Sequence, residues 1–222
     1  MGRYYLKNGS EVKDLREARK VNGKPSVTTI INAVCPHSFK YLESTQLKEA
    51  FIEADGDWAY AVELLGQNLV FEQGSLIHEA AELYLESQVK SDPLENPLSA
   101  SQMFKLLGRY EKPVVEKFYY STKMDTGGRI DVTGKIGDKL IMSDYKSCMK
   151  FKKKATESWL AQLGAYALIL EENGVFIDKA EIIQYSKKNE GCRLITLRKG
   201  DLDLGKEIFI KARELFRLWK AI

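Results

Sequence analysis

Cysteine is scarce in this sequence. Cys35, Cys148 and Cys192 are the only three, widely separated and with no Cys-x-x-Cys pair. That spacing indicates neither a cysteine zinc site nor a disulfide framework, and it fits a reducing intracellular setting. Histidine is scarcer still, and His37 stands with no nearby ligand partner and reads as surface. Long apolar runs are missing: nothing approaches the roughly 20 residues of a membrane span. The first twenty residues have no apolar signal core, so a cytoplasmic protein with no membrane partner is expected. Internal repeats, low-complexity tracts and a clean two-domain split are absent too. Nor is there a charge bias, since the formal net charge is only +3. What remains is 222 residues, 44% hydrophobic and 29% charged, the make-up of a globular chain with room for a sizeable core.

What the sequence does have is a pair of β-rich segments, 129–135 and 139–146, separated by Gly137-Asp138. That dipeptide is a two-residue turn signal. A turn centred there sets Asp131 directly opposite Asp144 on one face, with Cβ atoms roughly 4.5–5.5 Å apart. Two carboxylates that close repel, and a hard divalent cation with oxygen ligands, such as Mg²⁺, relieves the repulsion. Lys146 lies two residues beyond Asp144 and points to the same face. Two acids and a lysine then converge in the outline of a metal-assisted hydrolytic site. Asp-x-Lys on an exposed strand is more often an ordinary surface pair, and a bulge would put the aspartates out of line. The register decides between these.

Lys146, Lys150, Lys152, Lys153 and Lys154 place five lysines within nine residues. Such a run is either a solvated loop or a contact for a polyanion such as a nucleic-acid backbone. Upstream, residues 74–86 carry the apolar stripe of an amphipathic helix, with Leu76, Ile77, Ala80, Ala81, Leu83 and Tyr84. His78 and Glu82 share a face of it, which leaves His78 open as a metal-ligand candidate or a structural histidine. Gly74, one turn earlier, would let a backbone or ligand come close. Residues 112–120 read as a strand in which Glu116 shares a face with Val114, Phe118 and Tyr120. An acid there marks either a site or a half-exposed face. Residues 156–172 read as a helix capped by Thr156 and closed by Asn173-Gly174. Gln162 and Tyr166 share one face of it, as a polar packing edge or a substrate contact.

The other segments complete a mixed chain. Residues 4–12 suit a short hairpin through Asn8-Gly9. Ser26 suits the N-cap of a helix over 27–34 that ends at Pro36. Helices over 47–54 and 58–65 flank Asp55-Gly56-Asp57, which lacks the rest of a calcium-loop pattern and reads as a turn. Residues 91–101 read as a proline-containing loop, 103–110 as a helix, and 180–186 with 192–197 as a strand pair. Residues 201–220 form a closing amphipathic helix with Leu204, Ile208, Leu215, Phe216 and Trp219.

In chain order, Gly74-Ser-Leu-Ile-His78, Gly128-Arg-Ile-Asp131, Ser143-Asp144-Tyr145-Lys146 and Gln162-Leu-Gly-Ala-Tyr166 resemble the RecB-like branch of the PD-(D/E)XK nucleases. That branch includes phage recombination exonucleases, a CRISPR-associated group and the mitochondrial genome maintenance exonuclease. The match covers about residues 74–166, and the later strand pair suits the family core. Ser26-Val-Thr-Thr-Ile30 is a weaker match to the start of several such nucleases. Each motif alone is common, but four in order are specific.

The resemblance implies an α/β fold with a restriction-endonuclease-like core over 74–222, a central mixed β-sheet flanked by helices. Residues 1–73 would be a mainly helical N-terminal elaboration packed on that core as one compact domain. The implied activity is a divalent-metal-dependent DNA exonuclease acting on linear ends in recombination, repair or phage DNA processing. The setting would be a bacterial or phage-infected cell, with room for a recombination or repair protein as partner. A structure-specific or restriction-type endonuclease and a non-cutting DNA-end-binding module are the alternatives. By the same resemblance His78, Asp131, Asp144 and the carbonyl of Tyr145 hold Mg²⁺, for which Mn²⁺ can substitute. Lys146 would position or activate the attacking water and stabilise phosphate charge, and Glu116 matches a strand glutamate of many relatives. Gln162 and Tyr166 would contact DNA near the cut, with Lys150, Lys152, Lys153 and Lys154 along the backbone. Some relatives hold an iron–sulfur cluster on four cysteines; three scattered ones cannot, so none is expected.

Overall fold

The computed structural model describes residues 3–12, 15–34, 52–53, 55 and 70–221. The helices expected over 47–54 and 58–65 and the turn between them lie outside these apart from 52, 53 and 55, as do Cys35, Pro36 and His37. Near the N-terminus, β1 (Tyr4–Tyr5) and β2 (Glu11–Val12) form the expected hairpin, with Gly9 at φ +89° in its turn. After α1 (Leu15–Lys20), β3 (Lys24–Pro25) pairs with the other side of β1, completing a small sheet. Ser26 then caps α2 (Val27–Val34), its Oγ accepting from the Thr29 N–H at 3.1 Å.

The main sheet is built on the predicted hairpin. The antiparallel strands β5 (Thr126–Ile136) and β6 (Lys139–Cys148) set Ile136 opposite Lys139 and Val132 opposite Ser143. That is the register a Gly137-Asp138 turn demands, and Gly137 supplies it with a left-handed φ of +62°. The strand β4 (Glu111–Ser121) lies antiparallel on the far side of β5. From β6 the chain crosses through α5 (Glu157–Glu172) to β7 (Lys179–Ser186), which is parallel to β6 as such a helical connection allows. Thr156 caps α5, accepting from the Trp159 N–H at 3.4 Å. Antiparallel β8 (Cys192–Thr196) finishes a mixed sheet in the order β4-β5-β6-β7-β8.

Helices cover both faces. On one, α2, α5 and α6 (Lys199–Ala221) bury Ile30, Leu163, Ile169 and Phe209 against Ile130, Met142 and Ile182 of the strands. On the other, α3 (Val70–Ser87) and α4 (Pro97–Leu107) bury Ile77, Met103 and Leu107 against Val132, Ile141, Ile183 and Tyr185. Each such side chain contributes on the order of 1.5–3 kcal/mol relative to exposure. Among the described residues no helix is long and apolar enough to cross a membrane.

Two boundaries differ from expectation by a helical turn or more. The helix α4 begins at Pro97 and takes up the second half of the segment read as a loop. Its N-terminal amides are satisfied from outside: Asn189, in the β7–β8 turn, accepts from the N–H groups of Leu98 and Ser99 at 2.8 and 3.2 Å. The local start signal is Asn96-Pro97, with Pro at the first helical position, while the capping oxygen itself comes from about ninety residues away. The helix α3 starts at Val70, one turn before Gly74.

The crossing of α5 and α6 depends on two glycines. A Cβ on Gly164 would overlap the backbone of Gly205, and a Cβ on Gly205 would overlap the Leu160 carbonyl. In an open helix Gly→Ala stabilises by roughly 0.8–1 kcal/mol. Here Gly164→Ala and Gly205→Ala should instead lower the unfolding free energy in urea, by about 1–3 kcal/mol. Gly200→Ala, in open space on α6, should be neutral to stabilising. A stabilised Gly164→Ala would contradict the close crossing.

Candidate metal centre

The β5–β6 ladder stops at Val132–Ser143. Beyond it β5 stays with β4, and β6 stays with β7 as far as Cys148–Ser186. The sheet therefore forks, and Asp131 and Asp144 are the first residues of the two arms. Side-chain alternation breaks at the same place. Ile130 packs under α2, α5 and α6, whereas Val132, two residues on, packs under α3 and α4; on a regular strand they would share a face. In β4, Val115 and Tyr119 divide between the two cores in the same way. Between them Glu116 has φ +47°, in the left-handed region. A non-glycine residue held there costs on the order of 1–3 kcal/mol, and such strain gathers at functional sites. The twist at Glu116 and Asp131 turns both carboxylates toward the mouth of the fork.

His78 of α3 meets them there. Its Nδ1 is 3.6 Å from Glu116 Oε1 and 3.6 Å from Asp131 Oδ2. The imidazole sits edge-on to the Tyr145 ring, 5.4 Å between centroids. Asp131 is 7% exposed, and its Oδ2 also accepts from the Tyr145 N–H at 2.7 Å. His78, Glu116 and Asp131 each offer a ligand atom within 4.8 Å of the other two. Ligand atoms sharing one ion at about 2.1 Å sit roughly 3–4.2 Å apart, so small adjustments bring this set onto one cation. One imidazole nitrogen with carboxylate oxygens suits Mn²⁺ as well as Mg²⁺.

Asp144, 3% exposed, faces α5. Its Oδ2 lies 2.6 Å from Lys146 Nζ. Gln162 closes the ring: its Nε2 donates to Asp144 Oδ1 at 2.9 Å, and its Oε1 accepts from Lys146 Nζ at 3.0 Å. Tyr166, buried one turn further along α5, lies 3.3 Å from Gln162 Nε2 through its hydroxyl. The Tyr166 ring occupies the space a Cβ on Gly128 would need, at 2.7 Å. Gly128 is thus required by the packing of Tyr166.

Of the expected metal set, the structure groups His78 and Asp131, with Glu116 as their third member. Asp144 stands beside that group among the described residues, engaged by Lys146 and Gln162. Tyr145 contributes an amide to Asp131 and a ring beside His78. Gln162 and Tyr166 lie one behind the other, Gln162 on the lysine and Tyr166 behind it. Lys150, Lys152, Lys153 and Lys154 are exposed on the loop after β6. Gly74 does not mark a close approach: Ser147 Oγ lies 3.8 Å from where its Cβ would be, an ordinary contact. Two participants escaped the sequence reading. Gln184, an amide inside β7, and Trp159, in the first turn of α5 beside Glu157 and Ser158, show their partner only in the structure, where both meet Lys152.

No protein-family model matches the chain, and no curated protein matches it. Among solved structures it has a distant likeness to the crystal structure of SSO0001, with a TM-score of 0.38 and 16% sequence identity. The alignment covers 83% of this chain and 74% of that one.

The charges at the fork hold protons. Packing around His78 works against its protonation, but Asp131, Glu116 and Asp144 outweigh this and raise it from 6.5 to about 9. Burial pushes Asp131 up from 3.8 to about 7, with His78 opposing and Asp144 adding to the rise. Both groups bind protons more tightly folded than unfolded. Their stabilisation is therefore complete below the unfolded values and is lost as pH rises, through about 7 for Asp131 and about 9 for His78. The metal-free protein should melt at progressively lower temperature from about pH 5 to pH 9. Mn²⁺ needs deprotonated ligands, so its stabilising shift should grow over the same range. Asp131→Asn should abolish that shift; an undiminished one would place the bound metal elsewhere.

Proposed function

We propose that this protein is a divalent-metal-dependent nuclease that hydrolyses phosphodiester bonds at the ends of linear DNA. The observation that carries this reading is the adjacency of two units at the fork. One is the His78–Glu116–Asp131 group, suited to a cation. The other is Lys146, held against Asp144 and Gln162. The ordered motifs around these residues, with their resemblance to RecB-like nucleases, point to the same chemistry.

Hydrolysis needs a water made nucleophilic near neutral pH and relief of charge on the phosphate. A divalent cation held by Asp131, Glu116 and His78, with Asp144 alongside, supplies Lewis acidity and lowers the pKa of a water. Lys146 supplies fixed charge. An ammonium has three donors, and Asp144 and Gln162 engage it on one side, leaving one N–H for a phosphoryl oxygen. The phosphate gains negative charge as water attacks and the bond to the leaving oxygen breaks, so a donor held in advance stabilises that state more than the ground state. Gln162 gives Lys146 a second fixed partner beside Asp144, which keeps the ammonium aimed. The exposed lysines of the following loop attract the backbone without reading sequence, which makes binding salt-dependent.

The test is digestion of end-labelled linear single- and double-stranded DNA beside a closed circle, in Mg²⁺, Mn²⁺ or EDTA. Metal-dependent loss of linear DNA alone is expected, with Lys146→Ala slower by at least about 100-fold. Cutting of the circle would convert the reading to an endonuclease. Binding with no cutting in any metal would refute it in favour of an end-binding module.

A further inference from the structure

Gln184 is fully buried in β7, beside Lys146 of β6. Both ends of its amide grip the backbone of one loop residue. Its Oε1 accepts from the Lys152 N–H at 2.8 Å, and its Nε2 donates to the Lys152 carbonyl at 2.9 Å. A lysine run that served only to stay solvated would need no such anchor. The anchor sets the Lys152 ammonium over the Trp159 ring, 5.1 Å from its centroid. Trp159 is half-buried, rooted in the core in the first turn of α5. It lies three residues before Gln162, hence on the same side of the helix and about 4.5 Å along its axis. Lys146 and Gln184 are neighbours across strands, about 4.8 Å apart. The Lys152–Trp159 pair thus stands one strand and one helical turn from the Lys146–Gln162 pair. Exposed Met149 and half-buried Phe151 add apolar surface between the lysines.

We propose that Lys152 and Trp159 form a subsite for the nucleotide next to the scissile phosphate, and that its ligand is a single-stranded DNA end. The inference rests on the nuclease reading of the neighbouring site. An indole can stack on an internal base only when that base is unstacked from its neighbour, which a single strand offers along its length and an intact duplex offers only at its terminal pair. Every base has a π-face, so the subsite is indifferent to sequence. Without DNA the ammonium rests on the ring by cation–π attraction. A stacked base takes that place, and the ammonium moves to the phosphate the base carries. The Gln184 anchor fixes the backbone beforehand, so binding orders little more than one side chain.

The test is binding of a labelled oligo-dT strand, the same strand made abasic, and a blunt duplex, in EDTA with the full chain. The wild type should bind the intact strand about tenfold tighter than the abasic one. That gap should close in Trp159→Leu. Lys152→Met should lower the slope of log affinity against log salt by about 0.7. If Trp159→Leu does not fold, the abasic comparison on the wild type and the Lys152→Met slope still decide. Equal binding of intact and abasic strands, or duplex binding as tight as single-strand binding, overturns the subsite. Cleavage in Mn²⁺ is scored separately. A tenfold preference without cleavage upholds the subsite and refutes the nuclease reading, and cleavage without the preference does the reverse.

Discussion

A β-sheet that parts along one seam exposes main-chain amides that need partners, and it opens a gap reached by side chains from both faces. Here the seam between β5 and β6 opens just past Val132 and Ser143. Asp131 partly closes the account by accepting from the Tyr145 amide. The parting also concentrates negative charge. Glu116, Asp131 and Asp144 come from three neighbouring strands and reach the same mouth, two of them nearly excluded from water. Buried acids at such separation are unstable without positive charge. In the metal-free protein it comes from His78, which keeps its proton well into the alkaline range, and from Lys146 at 2.6 Å from Asp144. A divalent cation would meet the same demand better than a histidine proton does.

The surroundings hold those charges in place through uncharged amides. Gln162 keeps Lys146 and Asp144 in one plane with α5, and Gln184 ties the lysine loop to β7. Gln162 reaches its targets because α5 is the crossover between β6 and β7 and lies over β6, and Gln184 reaches Lys152 because the lysine loop leaves β6, the strand beside β7. The near-contact of α5 with α6 at Gly164 and Gly205 fixes that helix from behind. The folding core and the proposed site thus share one element.

Much of this was legible in the chain. Gly137-Asp138 set the hairpin register as far as Val132 and Ser143, because that follows from turn chemistry acting over a dozen residues. The caps at Ser26 and Thr156 and the hairpin at Asn8-Gly9 were readable for the same reason. The direct Asp131–Asp144 pairing expected of the Gly137-Asp138 turn does not form, because the sheet forks at those two residues. Glu116 could be seen only as an acid on an odd face. Strand periodicity assumes regular backbone, and it cannot foresee a left-handed residue that redirects the side chain. The start of α4 is marked by Asn96-Pro97 but lies in a segment whose prolines read first as a loop, and its capping oxygen comes from Asn189 in a distant turn. Gln184 and Trp159 were hidden because a single amide in a strand and an aromatic at a helix start declare a role only once their partners are placed. The engagement of Asp144 by Lys146 and Gln162 likewise required knowing where those side chains sit.

The central claim is that the open seam between β5 and β6 is a cation site. Crystals grown with Mn²⁺ and measured at its absorption edge test this most directly. The account predicts an anomalous peak at the mouth of the fork, within bonding distance of Asp131 and of at least one of Glu116, His78 and Asp144. A well-ordered Mn²⁺ bound elsewhere, with His78 still paired to Asp131 and the fork unchanged, would contradict it.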